Sequence, residues 1–246
     1  MTKHTISFTP SHPPLLCVPV LGTDIGALTA SALAAKGAPF DLVEWRVDFL
    51  ADLALLPDAL TTLRSVLPDA PILATFRTKD EGGGQALPEK DYFALLRRLI
   101  EMDGIDGIDV EYFHGPTERQ AVISEAKAAG LFVIVSSHNF KETPEEGEME
   151  ALLESLTETG GIGKLAVMPK TPRDVLTLLS ATLTVKERYP DRPLITMAMG
   201  PLGAITRLAG ETFGSALTFA TAGAASAPGQ LPAEMVKRML TALHGE

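Results

Sequence analysis

The sequence of 246 residues contains one cysteine, 6% aromatic residues and no uninterrupted apolar run long enough to cross a membrane. A single cysteine allows no internal disulfide, which favours a reducing, cytoplasmic location. Cys17 itself lies in the apolar run 15–18, which is typical of a buried structural thiol and not of a nucleophile. Residues 1–7 lack the apolar core of a signal peptide, so we expect neither secretion nor a membrane span.

Basic residues are also in deficit, with 21 lysines and arginines against 31 aspartates and glutamates and a formal net charge of −10. This charge argues against nucleic acid and anionic membranes as partners, because both repel an acidic surface. It leaves a small anionic substrate open, since a few local arginines can reverse the electrostatic field inside one cleft.

The sequence does contain a regular alternation of short β-rich runs and longer amphipathic stretches. The β-rich runs recur at intervals of roughly 30 residues, the size of one βα unit. We predict eight strands, at 15–20, 42–46, 72–76, 108–111, 132–136, 164–167, 194–198 and 216–219. We predict helices over 24–36 and 116–129, and others that begin at Pro88, after Thr143-Pro144, after Thr171-Pro172 and after Pro232.

Eight strand–helix units imply an α/β fold, a (β/α)8 TIM barrel formed by one domain over residues 1–246. Residues 1–13 are expected to form a short N-terminal plug or hairpin under the barrel. The alternative architecture is an open, doubly wound sheet. It is disfavoured because residues 22–26, after the first strand, lack the glycine spacing of a dinucleotide-binding turn.

Lys164 opens the sixth predicted strand, where alternation places it on one face with Ala166 and Met168. A lysine inside a buried strand is costly unless it is paired or neutral, and loss of hydration favours the neutral amine, which can attack a carbonyl. A salt bridge, or an extended side chain that keeps its ammonium in water, would also explain this residue.

Other polar residues gather at the C-terminal ends of the predicted strands, where barrel enzymes carry their active sites. Taken singly, each has a structural explanation: an ion pair for Glu44 and Arg46, a salt-bridge layer for Asp109 and Glu111, a helix cap for His138, and core packing for Met197 and Met199. Those explanations leave unexplained why arginines, a lysine, a histidine and carboxylates converge at one end of one barrel.

Lysine beside histidine suggests imine chemistry on a ketone or aldehyde, with the histidine moving protons, and arginines suit a substrate carboxylate. The residues therefore indicate a Schiff-base lyase or an aldolase. No cluster has zinc-ligand spacing, and we expect no metal and no cofactor. The run Gly82-Gly83-Gly84 lacks the lysine and hydroxyl residue of a phosphate-binding loop and is interpreted as a mobile lid.

Six segments in register resemble the type I 3-dehydroquinate dehydratase family, over nearly the whole chain from about residue 15 to 232. The segments are VEWRVD at 43–48, TFRTKDEGG at 75–83, SSHNF at 136–140, KLAVMP at 164–169, ITRLAGE with FGS at 205–215, and ASAPGQ at 225–230. The resemblance implies a homodimeric (β/α)8 barrel that dehydrates 3-dehydroquinate to 3-dehydroshikimate through an imine, in the shikimate pathway of aromatic biosynthesis, without metal or nucleotide.

The resemblance also implies roles for individual residues. Lys164 matches the Schiff-base lysine, His138 the general acid and base, and Glu81 the carboxylate that orients the histidine. Arg207 matches the group that binds the substrate carboxylate. The remaining matches are ring-hydroxyl and lid contacts (Glu44, Arg46, Arg77, Ser226 and Gln230) and apolar pocket walls (Phe140, Met199 and Phe219). Asp109 and Glu111 match the family pattern, and we assign them structural support of Lys164. The loop 224–230 is expected to close over the substrate.

The main departure from the family pattern is residues 199–203, Met-Gly-Pro-Leu-Gly, where the family has a basic residue; the change could alter the hinge of the closing loop or substrate affinity. Two alternatives remain. A class I aldolase shares the barrel and the lysine but usually grips a phosphate, and a non-catalytic carboxylate-binding barrel would need no nucleophile. The sequence leaves open whether the pathway is biosynthetic or degrades quinate.

Overall fold

The computed structural model describes residues 4, 6–8, 13–223 and 226–245. Strands and helices alternate along these residues in a single α/β domain. The strands are β1 (Leu15–Val20), β2 (Leu42–Arg46), β3 (Ile72–Thr75), β4 (Gly107–Glu111), β5 (Phe132–Asn139), β6 (Ile162–Val167), β7 (Leu194–Ala198) and β8 (Leu217–Phe219). The helices are α1 (Ile25–Lys36), α2 (Leu56–Val66), α3 (Glu89–Glu101), α4 (Pro116–Ala128), α5 (Glu146–Glu158), α6 (Pro172–Arg188), α7 (Gly210–Phe213) and α8 (Ala233–His244).

The eight strands form one parallel sheet in the order β7-β6-β5-β4-β3-β2-β1-β8. The two ends of this sheet meet, because Ala216 N, just before β8, donates to Leu194 O at 2.7 Å. A second bond across the same seam runs from Thr196 N to Ser215 Oγ, at 3.0 Å. The predicted (β/α)8 barrel is confirmed, and the open doubly wound sheet was wrong.

Strand alternation divides the core into two layers. One set of side chains, such as Val43, Trp45 and Leu165, packs between the sheet and the helices. The other set fills the barrel interior and includes Cys17 and Ala166. Cys17 is fully buried, as expected for a structural thiol, and burial raises its pKa well above the usual value. The interior side chains change from apolar to charged toward the C-terminal ends of the strands, and the candidate site lies at this charged end.

Helix termini follow local sequence signals in most places. Thr171 forms a capping box with Asp174, and Pro172 occupies the first turn of α6. The expected cap at Thr143 was wrong, because the chain stays extended through Glu145 and α5 begins only at Glu146. Thr143 Oγ1 is buried without a hydrogen-bond partner among the described residues.

Strand β5 runs three residues beyond its predicted end. His138 pairs with Ala166 of β6 and Asn139 with Val167, so the ladder continues through a polar sequence. This extension matters for the site, since it fixes the backbone of His138 within the sheet.

The predicted N-terminal plug or hairpin falls largely outside the described residues and stays a prediction. Of the residues that are described, Phe8 packs its ring 5.3 Å from that of Phe132, at the start of β5. His4 N donates to Asp106 Oδ1 at 2.7 Å, just before β4. Both contacts lie at the end of the barrel where the strands begin. In the part of the chain that is described, no helix is both long and apolar enough to cross a membrane.

Candidate active site

One pocket opens at the C-terminal ends of the strands, with an empty volume of about 490 Å³ that includes its open mouth. The structure places all twelve predicted site residues around it: Glu44 and Arg46 from β2, Arg77 and Glu81 after β3, His138 and Phe140 from β5 and its loop, Lys164 from β6, Met199 and Arg207 after β7, and Phe219, Ser226 and Gln230 from β8 and the loop that follows. Parallel strands in a closed barrel bring these distant segments to one end.

Lys164 lies at the base of the pocket with its side chain 5% exposed. Its Nζ is 3.3 Å from Asp109 Oδ2 and 3.8 Å from Glu44 Oε1, and it sits over the Phe219 ring, 4.5 Å from the centroid. The side chain therefore does not extend into solvent. A buried amine held between two carboxylates and an aromatic face has a fixed position from which it can meet a bound carbonyl group.

His138 is held by Glu81, whose Oε2 lies 2.9 Å from Nδ1. This contact leaves Nε2 as the ring nitrogen available to a ligand in the pocket. Burial lowers the pKa of His138 well below its usual value, and the positive charges of Arg77, Lys164 and Arg46 add to this effect. Burial raises the pKa of Glu81 to about 8, although the Arg77 guanidinium opposes the shift. The pair therefore holds a neutral imidazole next to a carboxyl group that gains and loses a proton near neutral pH.

The turn that carries Glu81 depends on the three glycines that follow it. Gly82 has φ +81°, and a Cβ there would lie 2.2 Å from the Phe140 ring. A Cβ on Gly83 would lie 1.8 Å from the Arg77 carbonyl oxygen. Gly83 N donates to Thr78 O and Gly84 N to Asp48 Oδ2, each at 2.8 Å. The structure shows a hydrogen-bonded turn in which glycine lets Phe140 pack against the backbone. The expected mobility of this run as a lid stays a prediction.

Arg77 occupies the centre of the charged layer. Its Nη2 donates to Asp109 Oδ1 at 2.7 Å, and its Nη1 donates to Glu111 Oε1 and Ser136 Oγ, each at 2.9 Å. Although burial opposes it, Arg77 and Lys164 lower the pKa of Asp109. The prediction that Asp109 supports Lys164 agrees with the contact between Lys164 Nζ and Asp109 Oδ2. Glu111 instead binds Arg77 and the Thr78 backbone N–H and hydroxyl, so its assignment to Lys164 was wrong.

Arg46 is already paired within the protein. Its Nε and Nη2 donate to the two carboxylate oxygens of Asp48, each at 2.8 Å, in the two-pronged geometry that suits a guanidinium. Its Nη1 lies 3.4 Å from Ser226 O, in the loop over the pocket. Arg46 therefore links the strand end to that loop.

Arg207 differs from the other buried arginines because no carboxylate among the described residues pairs with it. Its Nη2 donates to Pro228 O at 3.1 Å and its Nη1 to Phe219 O at 3.4 Å, while its buried Nε has no partner in the described chain. The residue is 1% exposed, and burial lowers its pKa to about 10. An unneutralised buried cation at a pocket wall favours an anionic ligand.

Ser226 and Gln230 are joined to each other at the pocket mouth. Ser226 N donates to Gln230 Oε1 at 2.9 Å, and Gln230 Nε2 donates to Ser226 Oγ at 3.1 Å. Of the expected closing loop 224–230, residues 224 and 225 lie outside the described part. The departure at 199–203 lies against this loop: Gly200 N donates to Pro228 O at 3.2 Å, and a Cβ on Gly229 would lie 2.3 Å from Gly200 O. The effect of this departure on the loop or on affinity stays a prediction.

One lining residue was assigned to the core and not to the pocket. Met197 lines the pocket, and its sulfur lies 3.8 Å from Arg207 Nη1. Strand alternation offered the signal, because Met197 shares a face with Met199, which was assigned to the wall. Among the described residues, no group of three or more histidine, cysteine, aspartate or glutamate side chains could hold a metal ion.

Comparison with known proteins agrees with this geometry. The profile of the type I 3-dehydroquinase family matches residues 16–246. The 3-dehydroquinate dehydratase of Klebsiella pneumoniae subsp. pneumoniae is 42% identical over 233 residues, 93% of each chain. The enzyme of that name from Escherichia coli O7:K1 is 43% identical over 94% of this chain and 93% of its own. The crystal structure of type I 3-dehydroquinate dehydratase from Clostridium difficile, with covalently modified comenic acid, superimposes with a TM-score of 0.89 at 38% identity, covering 95% of this chain and 93% of that one.

The fold and the pocket thus define a (β/α)8-barrel enzyme with a buried amine and a hydrogen-bonded histidine–glutamate pair at the C-terminal ends of its strands. Within that class, the chain belongs to the type I 3-dehydroquinase family. It is an enzyme of the hydro-lyase class, so the aldolase and the non-catalytic binder were wrong.

Proposed function

We propose that the protein is a 3-dehydroquinate dehydratase that forms a Schiff base between Lys164 and its substrate. The single observation that carries the proposal is the position of Lys164 Nζ, buried between Asp109 and Glu44 in the pocket that also holds His138. The identity of about 42% to enzymes of that name, over nearly the whole chain, supports the choice of substrate.

The first step joins Lys164 to the substrate ketone. Nζ adds to C3, and the former carbonyl oxygen leaves as water to give a protonated imine. The imine withdraws electrons and acidifies the C2–H bond. His138 Nε2 then takes the C2 proton, and its Nδ1–H is held by Glu81 at 2.9 Å.

The elimination step uses the same histidine. The electrons of the C2–H bond form the C1–C2 double bond as the C1–OH bond breaks, and His138 returns its proton to the departing oxygen, which leaves as water. Because one group on one face handles both the proton and the leaving group, the elimination is syn. Water then adds to the imine carbon and frees 3-dehydroshikimate and the Lys164 amine.

Arg207 supplies the remaining polar contact. Arg207 lines the pocket without a carboxylate partner from the described chain, and we assign its guanidinium to the substrate carboxylate. Glu44, Arg46 and Arg77 bind the ring hydroxyls, and Ser226 and Gln230 close over the ligand. Phe140, Met199 and Phe219 form the apolar walls that keep water from the imine.

Reduction with borohydride tests the covalent step. Borohydride added together with 3-dehydroquinate should inactivate the protein irreversibly and add the mass of the reduced adduct to the peptide that contains Lys164. Lys164→Ala should give no adduct and lose formation of the conjugated product measured by absorbance. Lys170→Ala serves as the matched control, because Lys170 is an exposed lysine after the same strand. An adduct on another lysine, or a Lys164→Ala variant that keeps its rate, would contradict the mechanism.

The pathway and the assembly are separate proposals. We place the enzyme in the cytoplasmic shikimate pathway that leads to chorismate and aromatic amino acids; growth of a dehydratase-deficient auxotroph on minimal medium tests this. The homodimer rests on the family resemblance, and light scattering of the purified chain measures it directly.

A further inference from the structure

His114 lies outside the pocket, and no step of the proposed reaction uses it. It follows β4, its ring stacks on Tyr92 of α3 with centroids 4.3 Å apart, and its side chain is 19% exposed. Its Nε2 lies 3.0 Å from Glu111 Oε2, and its Nδ1 lies 3.5 Å from Glu89 Oε2. Because an ionised carboxylate can only accept, Nε2 carries the hydrogen and donates it to Glu111.

This bond completes the hydrogen bonding of Glu111. The carboxylate has about four lone-pair sites. Oε1 accepts from Arg77 Nη1 at 2.9 Å and from Thr78 N at 2.8 Å, and Oε2 accepts from Thr78 Oγ1 at 2.7 Å. His114 supplies the fourth donor. Without it, the negative charge of Glu111 acts more strongly on the three remaining donors, one of which is Arg77 Nη1.

Arg77 connects Glu111 to the acid–base pair formed by Glu81 and His138. Its Nη1 carries two N–H bonds but has three acceptors within reach. Glu111 Oε1 and Ser136 Oγ each lie at 2.9 Å, whereas Glu81 Oε2 lies at 3.5 Å. Glu81 is the weakest of the three competitors, so a stronger Glu111 draws Nη1 further from it.

We propose that His114 is a positioning residue for His138. By donating to Glu111, it limits the hold of Glu111 on Arg77, so that Glu81 keeps a share of Arg77 Nη1, and this contact favours the carboxylate form of Glu81 beside His138. The contacts run His114, Glu111, Arg77, Glu81, His138, each no longer than 3.5 Å. The inference rests on the proposed function, since it concerns the same acid–base pair.

The other charged groups around this chain of contacts are the same in the wild type and in the His114 variants. Glu89 and Tyr92 of α3 face the His114 ring, Arg119 of α4 donates to His114 O, and Asp80 and Lys141 line the groove beside the ring. Asp109, Lys164 and Arg46 act on the acid–base pair from the pocket side. A single substitution at His114 leaves all of these groups in place.

The test is the pH dependence of kcat for His114→Phe, which keeps a ring against Tyr92 and removes the donor. The apparent pKa below which kcat falls should rise by about half a unit, which gives roughly a threefold loss of kcat on the acid side and none on the alkaline plateau. His114→Gln, whose side-chain amide can donate to Glu111, should restore the wild-type profile. If His114→Phe is not folded by circular dichroism, His114→Leu, which also lacks a donor, takes its place with the same expectation.

The matched control is Glu89→Gln, which changes the other neighbour of the ring and should leave the profile unchanged. A wild-type profile for His114→Phe would overturn the proposal. An equal loss of kcat at every pH, or no recovery in His114→Gln, would also overturn it, since either result indicates a structural role alone. Failure of the proposed function is distinguishable, because the unmodified protein would then have no dehydratase activity at any pH.

Discussion

Replacing Arg207 with methionine should remove activity and stabilise the fold at the same time. In the folded protein, burial lowers the pKa of Arg207 from its usual value to about 10, so the charged form pays a desolvation cost that the described chain does not neutralise. A difference of that size corresponds to about 3 kcal/mol. The two hydrogen bonds to carbonyls, at 3.1 and 3.4 Å, offset part of it. We therefore expect Arg207→Met to raise the free energy of unfolding by about 1 to 2 kcal/mol.

The catalytic effect has the opposite sign. A two-pronged contact between a guanidinium and a substrate carboxylate is charge-assisted, and each of its bonds contributes about 1.5 to 3 kcal/mol. Loss of both lowers kcat/KM by roughly two to four orders of magnitude. The stability penalty in the wild type is fully present at neutral pH and should begin to shrink only as pH rises above about 10, because the neutral form then becomes accessible in the folded state.

The measurements are urea denaturation and the absorbance assay, applied to both Arg207→Met and a buried control, Arg64→Met. Arg64 is also buried, although somewhat less completely than Arg207, and it is fully paired, donating to Gly104 O, Ala70 O and Asp106 Oδ2 at 2.6 to 2.7 Å. Its loss leaves the buried Asp106 carboxylate without the guanidinium that neutralises it and should destabilise the protein by about 3 to 5 kcal/mol. An Arg207→Met variant that is destabilised like Arg64→Met, or that keeps wild-type kcat/KM, would refute the reasoning.

Two further substitutions probe the acid–base pair. Gly82→Ala introduces a Cβ 2.2 Å from the Phe140 ring at a φ of +81°. It should destabilise the fold by about 1 kcal/mol through backbone strain, and it should lower kcat because the strained turn carries Glu81. Gly147→Ala, with no neighbour within 4 Å, is the matched control in denaturation and rate measurements. Glu81→Gln should lower kcat, yet its stability relative to wild type should rise between about pH 4.5 and pH 8. The folded pKa of Glu81 is raised to about 8, so the wild type loses stability as pH rises through that window and the uncharged amide does not. Denaturation at pH 5 and pH 8.5 checks this, and equal differences at both values would contradict it.

Much of the barrel could be predicted because each of its units repeats the same local pattern. The spacing of apolar runs located all eight strands, and β1, β2 and β7 have their predicted bounds. The polar end of β5 could not be predicted, because Ser137, His138 and Asn139 carry no apolar alternation and are held in the sheet by pairing with β6. The predicted start of α5 was also wrong: Thr143 and Pro144 match a capping sequence, but Glu145 is extended and the helix begins only at Glu146.

The members of the site were easier to predict than their partners. Residues at strand ends face the pocket by topology, so their convergence follows once the barrel is assumed. Which carboxylate pairs with which cation depends on distances of a few ångströms across different strands, and the sequence holds no signal for that. Glu111 and Asp109 have the same parity on one strand, yet only Asp109 reaches Lys164, while Glu111 binds Arg77.

The burial of Cys17 gives the protein a built-in reporter. The thiol is completely enclosed in the barrel interior, on a strand that pairs with both β2 and β8. A thiol reagent can reach it only when the barrel wall parts, and the sequence offers no second cysteine to react instead. The labelling rate of the unmodified protein therefore records how often the barrel opens, in the native enzyme and without an engineered probe.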